Sequence, residues 1–423
     1  MNTVSINVKD IGKRVKGRPA RVELPTRWDR MEVILKIAEV CNIDCTYCYF
    51  FNAGDDSYTS HPAYISQSTV EGVADFLATT ASESGLTTLQ IDFHGGEPTM
   101  LKKYRFDEMC MTFRDRLGFI PNLELAMQTN AMLIDDEWIA LIAKHDIKVG
   151  VSLDGPKEMN DRYRVDHRGR GTYDGTVAGM HRLMEARKDG RLSHGFGLIC
   201  VADHEHDART VMMHFVKDLG LKDLHFTFPL MTHDGNGPEK MAPYAKYMCD
   251  IFDTWVELND PRIRIRFIDK LMGLLLGGSQ RLASYQETLA MNTAFTIASS
   301  GEVVAADDDR VATYAFGNGV IASGGFSVSD FFGIDPMRRY FDAIAVRSET
   351  CKACCWGNVC DGGEALGGNT QRFSSKNGFD NPSIYCGGLS ALLVKMTDYL
   401  IAHGVAFSKI AEVLVDEEAE AAA

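Results

Sequence analysis

The sequence predicts an α/β fold, with an open (β/α)6 partial barrel over residues 31–260 and a small cysteine-rich region toward the C-terminus. Three observations lead there. Six strand-like segments alternate with helix-like ones from residue 31 onward, the order that builds a parallel sheet with right-handed crossovers. Six units fall short of the eight that close a barrel, so the sheet is expected to stay open, with chemistry at the C-terminal ends of its strands. Eight of the eleven cysteines fall in two groups, one directly after the first strand and one beyond residue 350.

A polar N-terminal arm, residues 1–30, precedes the first strand. Strands are expected at 31–38, 89–93, 123–128, 148–153, 196–201 and 224–230, each a short apolar or half-buried run. Amphipathic spacing predicts helices near 68–80, 106–117, 135–145, 173–187 and 207–219. Helical patterns at 241–258 and 268–276 follow, and residues 261–291 are expected to bridge to the second region. That region, 292–415, opens on strand-like pieces at 294–298 and 302–305 and ends on a long helix near 389–403. The tail 416–423 is acidic and alanine-rich, a composition that favours disorder.

The composition, 45% apolar and 24% charged, is that of a soluble globular protein. No apolar run reaches the length of a membrane span, and the N-terminus lacks the apolar core of a secretory signal. Cysteines in such a chain point to the reducing cytosol and to metal rather than to disulfides. A cytoplasmic location is expected. The net charge of −14 argues against a nucleic-acid binder, which needs a basic face. Neither a nucleic acid nor a membrane is expected as partner.

The first cysteine group, Cys41-Asn-Ile-Asp-Cys45-Thr-Tyr47-Cys48, sets three thiols at offsets 0, +4 and +7. Three soft ligands hold a [4Fe–4S] cube by three corners and leave one iron open for a small molecule. A zinc site that borrows a fourth ligand remains the alternative at this point. Phe93-His94-Gly95-Gly96-Glu97-Pro98 ends the second strand, where two glycines permit close backbone approach and Glu97 with exposed carbonyls suits an ammonium group. Gln128-Thr129-Asn130 ends the third strand, and Ser152-Leu-Asp154-Gly-Pro156 the fourth. Arg164 lies in Asp161-Arg-Tyr-Arg-Val-Asp166, and an arginine converging with Ser152 on one mouth suits a carboxylate. Of the histidines, His94 stands out because it abuts the glycine turn.

Taken together, these strings resemble those of the radical S-adenosylmethionine (SAM) enzymes that modify peptides and proteins, over about residues 31–228. The resemblance implies a TIM-like partial barrel and a [4Fe–4S] cluster on Cys41, Cys45 and Cys48. It assigns SAM binding to Tyr47, Gly95, Gly96, Glu97, Thr129, Ser152 and Arg164. It also implies an external one-electron donor of flavodoxin or ferredoxin type.

The second cysteine group, Cys351-x2-Cys354-Cys355-x4-Cys360 with Cys386 downstream, supplies four thiols besides Cys355, enough for a closed cluster or a zinc knuckle. It resembles the SPASM domain, the extension of radical SAM peptide maturases that carries auxiliary iron–sulfur clusters. That resemblance implies a second [4Fe–4S] cluster on Cys351, Cys354, Cys360 and Cys386. A full SPASM domain holds two auxiliary clusters, but the places of the other cluster's thiols are taken by Ala306 and Glu364, and no cysteine lies between Cys249 and Gly301. Coordinated loss of this kind is the mark of one deleted cluster. Cys355 is read as a bystander, and Cys110, Cys200 and Cys249 as buried thiols acting as small hydrophobes.

Asp307 follows the vacated place, and in sulfatase-maturing relatives the matching Asp acts as a base. Gly378-Phe-Asp-Asn-Pro-Ser-Ile-Tyr-Cys386 closely resembles the string in maturases that form three-residue cyclophanes in ribosomally made peptides. Those enzymes also lack the first auxiliary cluster. The expected substrate is a ribosomal precursor peptide, and the expected reaction joins an aromatic ring carbon to a Cβ by way of a 5′-deoxyadenosyl radical, with Asp307 taking the ring proton. The alternatives are thioether formation, epimerisation, oxidation of a Cys or Ser, and a metal-stabilised scaffold that binds peptide without chemistry.

Overall fold

The computed structural model describes residues 27–54, 56–277, 293–304, 307, 320–321, 330, 333, 335–367 and 369–414. Most of the N-terminal arm, the tail 416–423, residues 278–292, and Ala306, Asp308 and Asp309 lie outside them.

Six strands, β1 (Arg30–Ala38), β2 (Thr88–Gly95), β3 (Asn122–Thr129), β4 (Ile147–Ser152), β5 (Phe196–Val201) and β6 (Asp223–Thr227), pair in chain order and in parallel. The helices α1 (Gln67–Ser84), α2 (Lys103–Leu117), α3 (Asp136–His145), α4 (Lys157–Tyr163), α5 (Tyr173–Lys188) and α6 (Ala208–Met213) fill the crossovers. Side chains at the helix starts set several boundaries. Ser66 accepts from the Thr69 amide to begin α1, Asp135 from Trp138 to begin α3, and Asp207 from Thr210 to begin α6. Gly85, at φ 68°, ends α1 in the left-handed conformation that glycine adopts without strain.

Alternation along the strands separates two faces. Met31, Val33, Leu35 and Ile37 of β1 are buried, as are Leu89, Ile91 and Phe93 of β2. Phe93 meets Phe106 of α2 with ring centroids 5.1 Å apart, and Phe106 meets Trp138 of α3 at 5.0 Å. The opposite face of β2 to β4 is half-exposed at every second residue and lines an open lumen. Lys36 and His94 are register partners on that face, one same-face step beyond the pair Ile34 and Asp92.

The sheet is wider than the six strands expected. A two-residue strand, β7 (Arg264–Ile265), extends one edge beside β6. On the other edge β8 (Thr293–Ile297) pairs in parallel with β1, and β9 (Glu302–Val304) and β10 (Val320–Ile321) continue antiparallel from it. The strand-like piece of the second region therefore completes the barrel's own sheet. Two further boundaries shift. The strand expected at 224–230 stops at Thr227, and the helix expected at 207–219 changes to π-helical pitch over His214–Asp218.

Beyond α7 (Pro238–Leu258) and α8 (Arg266–Leu275), the chain forms α9 (Asp335–Ala345), the short helical turns Glu349–Lys352 and Gly357–Cys360, α10 (Cys386–Ala402) and α11 (Phe407–Leu414). Helix α10 packs along α7, which seats the second cysteine group against the barrel.

Candidate active site

The first three thiols lie in the loop that leaves the C-terminal end of β1. The loop is pinned to the segment around Arg164, as the Asp44 amide donates to Val165 O at 2.7 Å and Thr46 to Tyr163 O at 3.0 Å. Within the loop, the Cys48 amide donates to Cys45 O at 3.0 Å, and Asn52 Nδ2 reaches the same oxygen at 2.9 Å. Cys45 is buried, while Cys41 and Cys48 are half-buried. Burial pushes the Cys41 thiol up to about 12, with Glu97 and the other two thiols adding to the rise. Burial likewise pushes Cys45 up to about 11 against the pull of Arg164. Thiols that resist ionisation together gain from a bound cation, and three of them at this spacing fit the donor set of an open-cornered [4Fe–4S] cluster.

The glycines of the turn after β2 have a different partner from the one expected. Gly95 sits at φ 131°, and a Cβ there falls 1.9 Å from Ala38 O. A Cβ on Gly96 falls 2.2 Å from Val40 O. Both glycines thus let the turn close on the chain's own backbone just ahead of Cys41. Gly96 N–H donates to Ala38 O at 2.7 Å and Glu97 N–H to Val40 O at 2.9 Å. The turn fixes where the cysteine loop begins.

Glu97 is fully enclosed, and its carboxylate is committed to the fold. Oε1 accepts from the Thr99 amide at 3.0 Å, the Thr99 hydroxyl at 2.5 Å and the Thr129 hydroxyl at 2.7 Å, and Oε2 from the Asn130 amide at 2.7 Å. Burial raises its pKa, and these hydrogen bonds oppose the rise. Glu97 and Thr129 join the ends of β2 and β3, so any approach to an ammonium group is left to the remaining lone pairs and backbone carbonyls. Ser152 and Arg164 belong to separate networks instead of one carboxylate clamp. Ser152 accepts from Gln128 Nε2 at 2.7 Å. Buried Arg164 donates from Nη1 to the Tyr47 hydroxyl at 3.0 Å, while its Nε has no hydrogen-bond partner among the described residues.

Asp307 is buried beside Lys36 of β1. Its Oδ2 accepts from Lys36 Nζ at 2.5 Å and from the Tyr49 hydroxyl. Its Oδ1 is buried with no hydrogen-bond partner among the described residues. Burial alone raises this carboxyl, but Lys36, His94 and the hydrogen bonds from Lys36 and Tyr49 outweigh it and hold the group below the ordinary carboxylate range. Lys36 Nζ also lies 3.1 Å from His94 Nδ1 and 4.6 Å from the Phe50 ring centroid. Burial and the Lys36 charge push His94 down to about 3.

The second group sits at the junction of α10 with the barrel. Burial pushes Cys360 up to about 12, and Cys386, Cys354 and Cys351 add to the rise. Cys386 is raised too, by burial and then by Cys354 and Cys351, so the four thiols share one field. Tyr385, just before Cys386, donates from its hydroxyl to Pro229 O at 2.8 Å, and His233 Nε2 donates to Pro382 O at 2.8 Å. These contacts tie the segment before Cys386 to the barrel just past β6. Glu364, at a vacated thiol place, is an exposed partner of Lys270. Cys110 and Cys200 are buried as expected, whereas Cys249 is only half-buried.

Lys36 and Tyr49 carry the Asp307 network without having been singled out from sequence. One signal was available. A lysine inside the apolar run Val33-Ile-Leu-Lys36-Ile-Ala38 is a charge that burial forces to find a partner. The identity of that partner, 271 residues away, has no local sign.

Fold and thiol loop together define a class, and residues 35–216 match the Radical SAM superfamily. The chain contains a radical SAM domain over those residues. It is similar to the cysteine-type anaerobic sulfatase-maturating enzyme of Clostridium perfringens, with 27% identity over 76% of this chain and 85% of that protein. It is also similar to the serine-type anaerobic sulfatase-maturating enzyme of Bacteroides thetaiotaomicron, with 22% identity over 58% of this chain and 62% of that protein. The solved structure of native anSMEcpe with bound AdoMet and Cp18Cys peptide shares the fold. Its TM-score is 0.70 at 23% identity, over 88% of this chain and 98% of that one. Among the described residues no helix is long and apolar enough to cross a membrane.

Proposed function

We propose that this chain oxidises a side chain of a peptide or protein substrate at its Cβ, with a Cys or Ser as the residue oxidised. The observation that carries this reading is Asp307, a buried carboxylate whose Oδ1 has no hydrogen-bond partner among the described residues and whose Oδ2 is held by Lys36 and Tyr49. The similarity to cysteine-type and serine-type sulfatase-maturating enzymes supports the choice of residue.

Cys41, Cys45 and Cys48 would hold the [4Fe–4S] cluster, and Tyr47, Gly95, Gly96, Glu97, Thr129, Ser152 and Arg164 would frame SAM, with Glu97 and Thr129 shaping the site by joining β2 to β3. Once bound, the pair would supply the radical chemistry that removes a hydrogen atom from a substrate carbon. The barrel's contribution is to orient the substrate Cβ and keep water from the reacting atoms. Asp307 receives the proton that leaves the substrate at its Oδ1. Cys351, Cys354, Cys360 and Cys386 would hold a second [4Fe–4S] cluster, the acceptor for the second electron that the oxidation removes from the substrate, and an external flavodoxin-type or ferredoxin-type protein would supply the electron that cleaves SAM. Residues 31–260, with β8 and β9 added to their sheet, act as the barrel, and the region beyond residue 335 acts as the auxiliary-cluster domain, of a cytoplasmic enzyme.

A second reading, crosslinking of an aromatic ring carbon to a Cβ in a ribosomal precursor peptide, has its own support. The segment before Cys386 matches the cyclophane-forming pattern, and Ala306 and Glu364 stand where another cluster needs thiols. One experiment separates the two. The enzyme, reconstituted anaerobically with iron and sulfide, is given SAM, a reductant and peptides carrying Cys, Ser or paired aromatic residues. A hydrazide-reactive aldehyde on the Cys or Ser peptide is the expected result. Loss of two hydrogens from an aromatic peptide, with no new carbonyl, favours the crosslink. SAM cleavage with every peptide unchanged overturns both.

A further inference from the structure

We propose that Lys36 is the positioning residue of this site: one buried ammonium holds Asp307 as an ionised acceptor and fixes His94 as a donor, so that a matched pair faces the lumen. The proposal deepens the reading above and rests on the lumen being the substrate space.

The geometry starts from Lys36 Nζ, whose side chain is fully buried. An ammonium carries donors only. One proton goes to Asp307 Oδ2 at 2.5 Å, and another points to His94 Nδ1 at 3.1 Å. A nitrogen that accepts from an ammonium cannot carry a proton itself, so the His94 proton lies on Nε2. His94 belongs to the half-exposed face of β2. Lys36 therefore settles two chemical states at once, carboxylate on one side and Nε2–H imidazole on the other.

Tyr49, Asp92 and Glu32 are further titratable groups near this hub. Tyr49 donates its hydroxyl to the same Asp307 oxygen and, with Phe50, sets a ring near the ammonium. Asp92 lies one same-face step below His94 on β2, and Glu32 of β1 couples to it. Without Lys36, Asp307 is a buried carboxylate that has lost its ammonium partner, and burial drives it toward the protonated form. His94 loses a neighbouring positive charge and becomes easier to protonate. Both changes act in the same direction, removing the acceptor and doubling the donor as pH falls.

The test uses the reconstituted enzyme with Lys36→Met and Lys36→Arg. Modified peptide and 5′-deoxyadenosine are counted separately between about pH 6 and 9. In the wild type the ratio of product to 5′-deoxyadenosine is expected to be flat. In Lys36→Met it is expected to fall at least tenfold at the acid end and to recover as pH rises, with partial rescue by Lys36→Arg. A uniform loss at all pH values overturns the proposal, because that is the result of packing damage. Independently of turnover, 15N-histidine NMR reports the His94 tautomer. The Nε2–H form in the wild type and a mixed or protonated ring in Lys36→Met are expected, and an identical spectrum in both overturns the proposal. This readout needs no substrate, so a wrong substrate assignment leaves it intact. Should Lys36→Met fail to fold, Lys36→Met/Asp307→Asn removes both buried charges. Its His94 ring is expected to lose the fixed Nε2–H tautomer, with burial still holding its pKa below the free value, and retention of the wild-type tautomer overturns the proposal.

Discussion

The Tyr47 hydroxyl donates to Asp154 Oδ2 at 2.5 Å and accepts from Arg164 Nη1 at 3.0 Å, joining the thiol loop to the end of β4. Asp154 in turn receives the Val201 amide of β5 on Oδ1 at 3.0 Å. The residue before Cys48 thus anchors the loop to two strands. Tyr47→Phe removes one hydroxyl and leaves a buried carboxylate oxygen and a guanidinium nitrogen short of a partner. A loss of about 2 kcal/mol in unfolding free energy is expected. Denaturant titration of the variant against the wild type measures it, and an unchanged midpoint refutes the anchor.

Gly96 makes a steeper prediction. Its added Cβ meets Val40 O at 2.2 Å and Val40 C at 2.4 Å, and neither backbone atom can swing away as a side chain does. Gly96→Ala must displace the backbone that leads into Cys41. A cost of about 3 kcal/mol is expected, at the upper end for overpacking, together with poor iron incorporation. Melting temperature and iron content after anaerobic reconstitution check the two halves separately.

Glu97 is expected to act first on stability. Glu97→Ala strips four donors of their shared acceptor, two on Thr99 and one each on Thr129 and Asn130. Loss of about 3 kcal/mol is expected, because bonds to a carboxylate are the stronger kind and the orphaned donors are buried. Glu97→Gln keeps an acceptor oxygen and should recover part of it. A variant with full stability and weakened SAM binding alone, read by equilibrium dialysis, shows that the carboxylate works on the ligand instead.

Parts of this architecture were legible in the sequence for a plain reason. Val33-Ile-Leu and its counterparts in β2 to β6 carry their own periodicity, and their helices carry caps such as Ser66 and Asp135. The thiol triplet and the strings after successive strands likewise announce themselves within a few residues. What stayed hidden depends on distance along the chain. Nothing local in Thr293–Ile297 says that it will pair with Met31–Leu35 across the lumen's edge. Lys36 and Asp307 meet only because that pairing carries the second region to β1. Gly95 and Gly96 could be seen to need close approach, but whether to a ligand or to Ala38 and Val40 required the fold.

The two thiol groups predict an additive iron count. Three thiols at one site and four at the other correspond to about eight irons per chain if each holds a [4Fe–4S] cluster. Replacing Cys351 and Cys354 with Ala is expected to leave about four irons and the SAM-responsive spectrum of the first site. Zinc in place of iron and sulfide at the second site, read by elemental analysis, refutes an auxiliary cluster there.

A final prediction concerns His61, whose ring bridges the barrel and the strand pair that follows it. Nδ1 lies 3.1 Å from Glu39 Oε1 and Nε2 lies 3.2 Å from Glu302 Oε2. Glu39 also accepts the Ser299 amide at 3.0 Å, so the triad fastens the end of β1 to the turn between β8 and β9. Hydrogen bonds to Glu302 and then Glu39 raise His61 from 6.5 to about 9, against a smaller opposing effect of burial. A group bound more tightly to its proton in the folded state stabilises fully below its unfolded pKa and loses that contribution as pH climbs through its folded pKa. Stability from this triad is therefore complete below about pH 6.5 and fades toward about pH 9, a window fixed by the two values for His61. Other groups titrate near the upper limit, so the informative quantity is the difference between wild type and His61→Gln. That difference, from urea titrations across the window, is expected to shrink as pH rises. A difference that is constant with pH means that the ring is neutral in the folded protein and that the two glutamates hold it by hydrogen bonds alone.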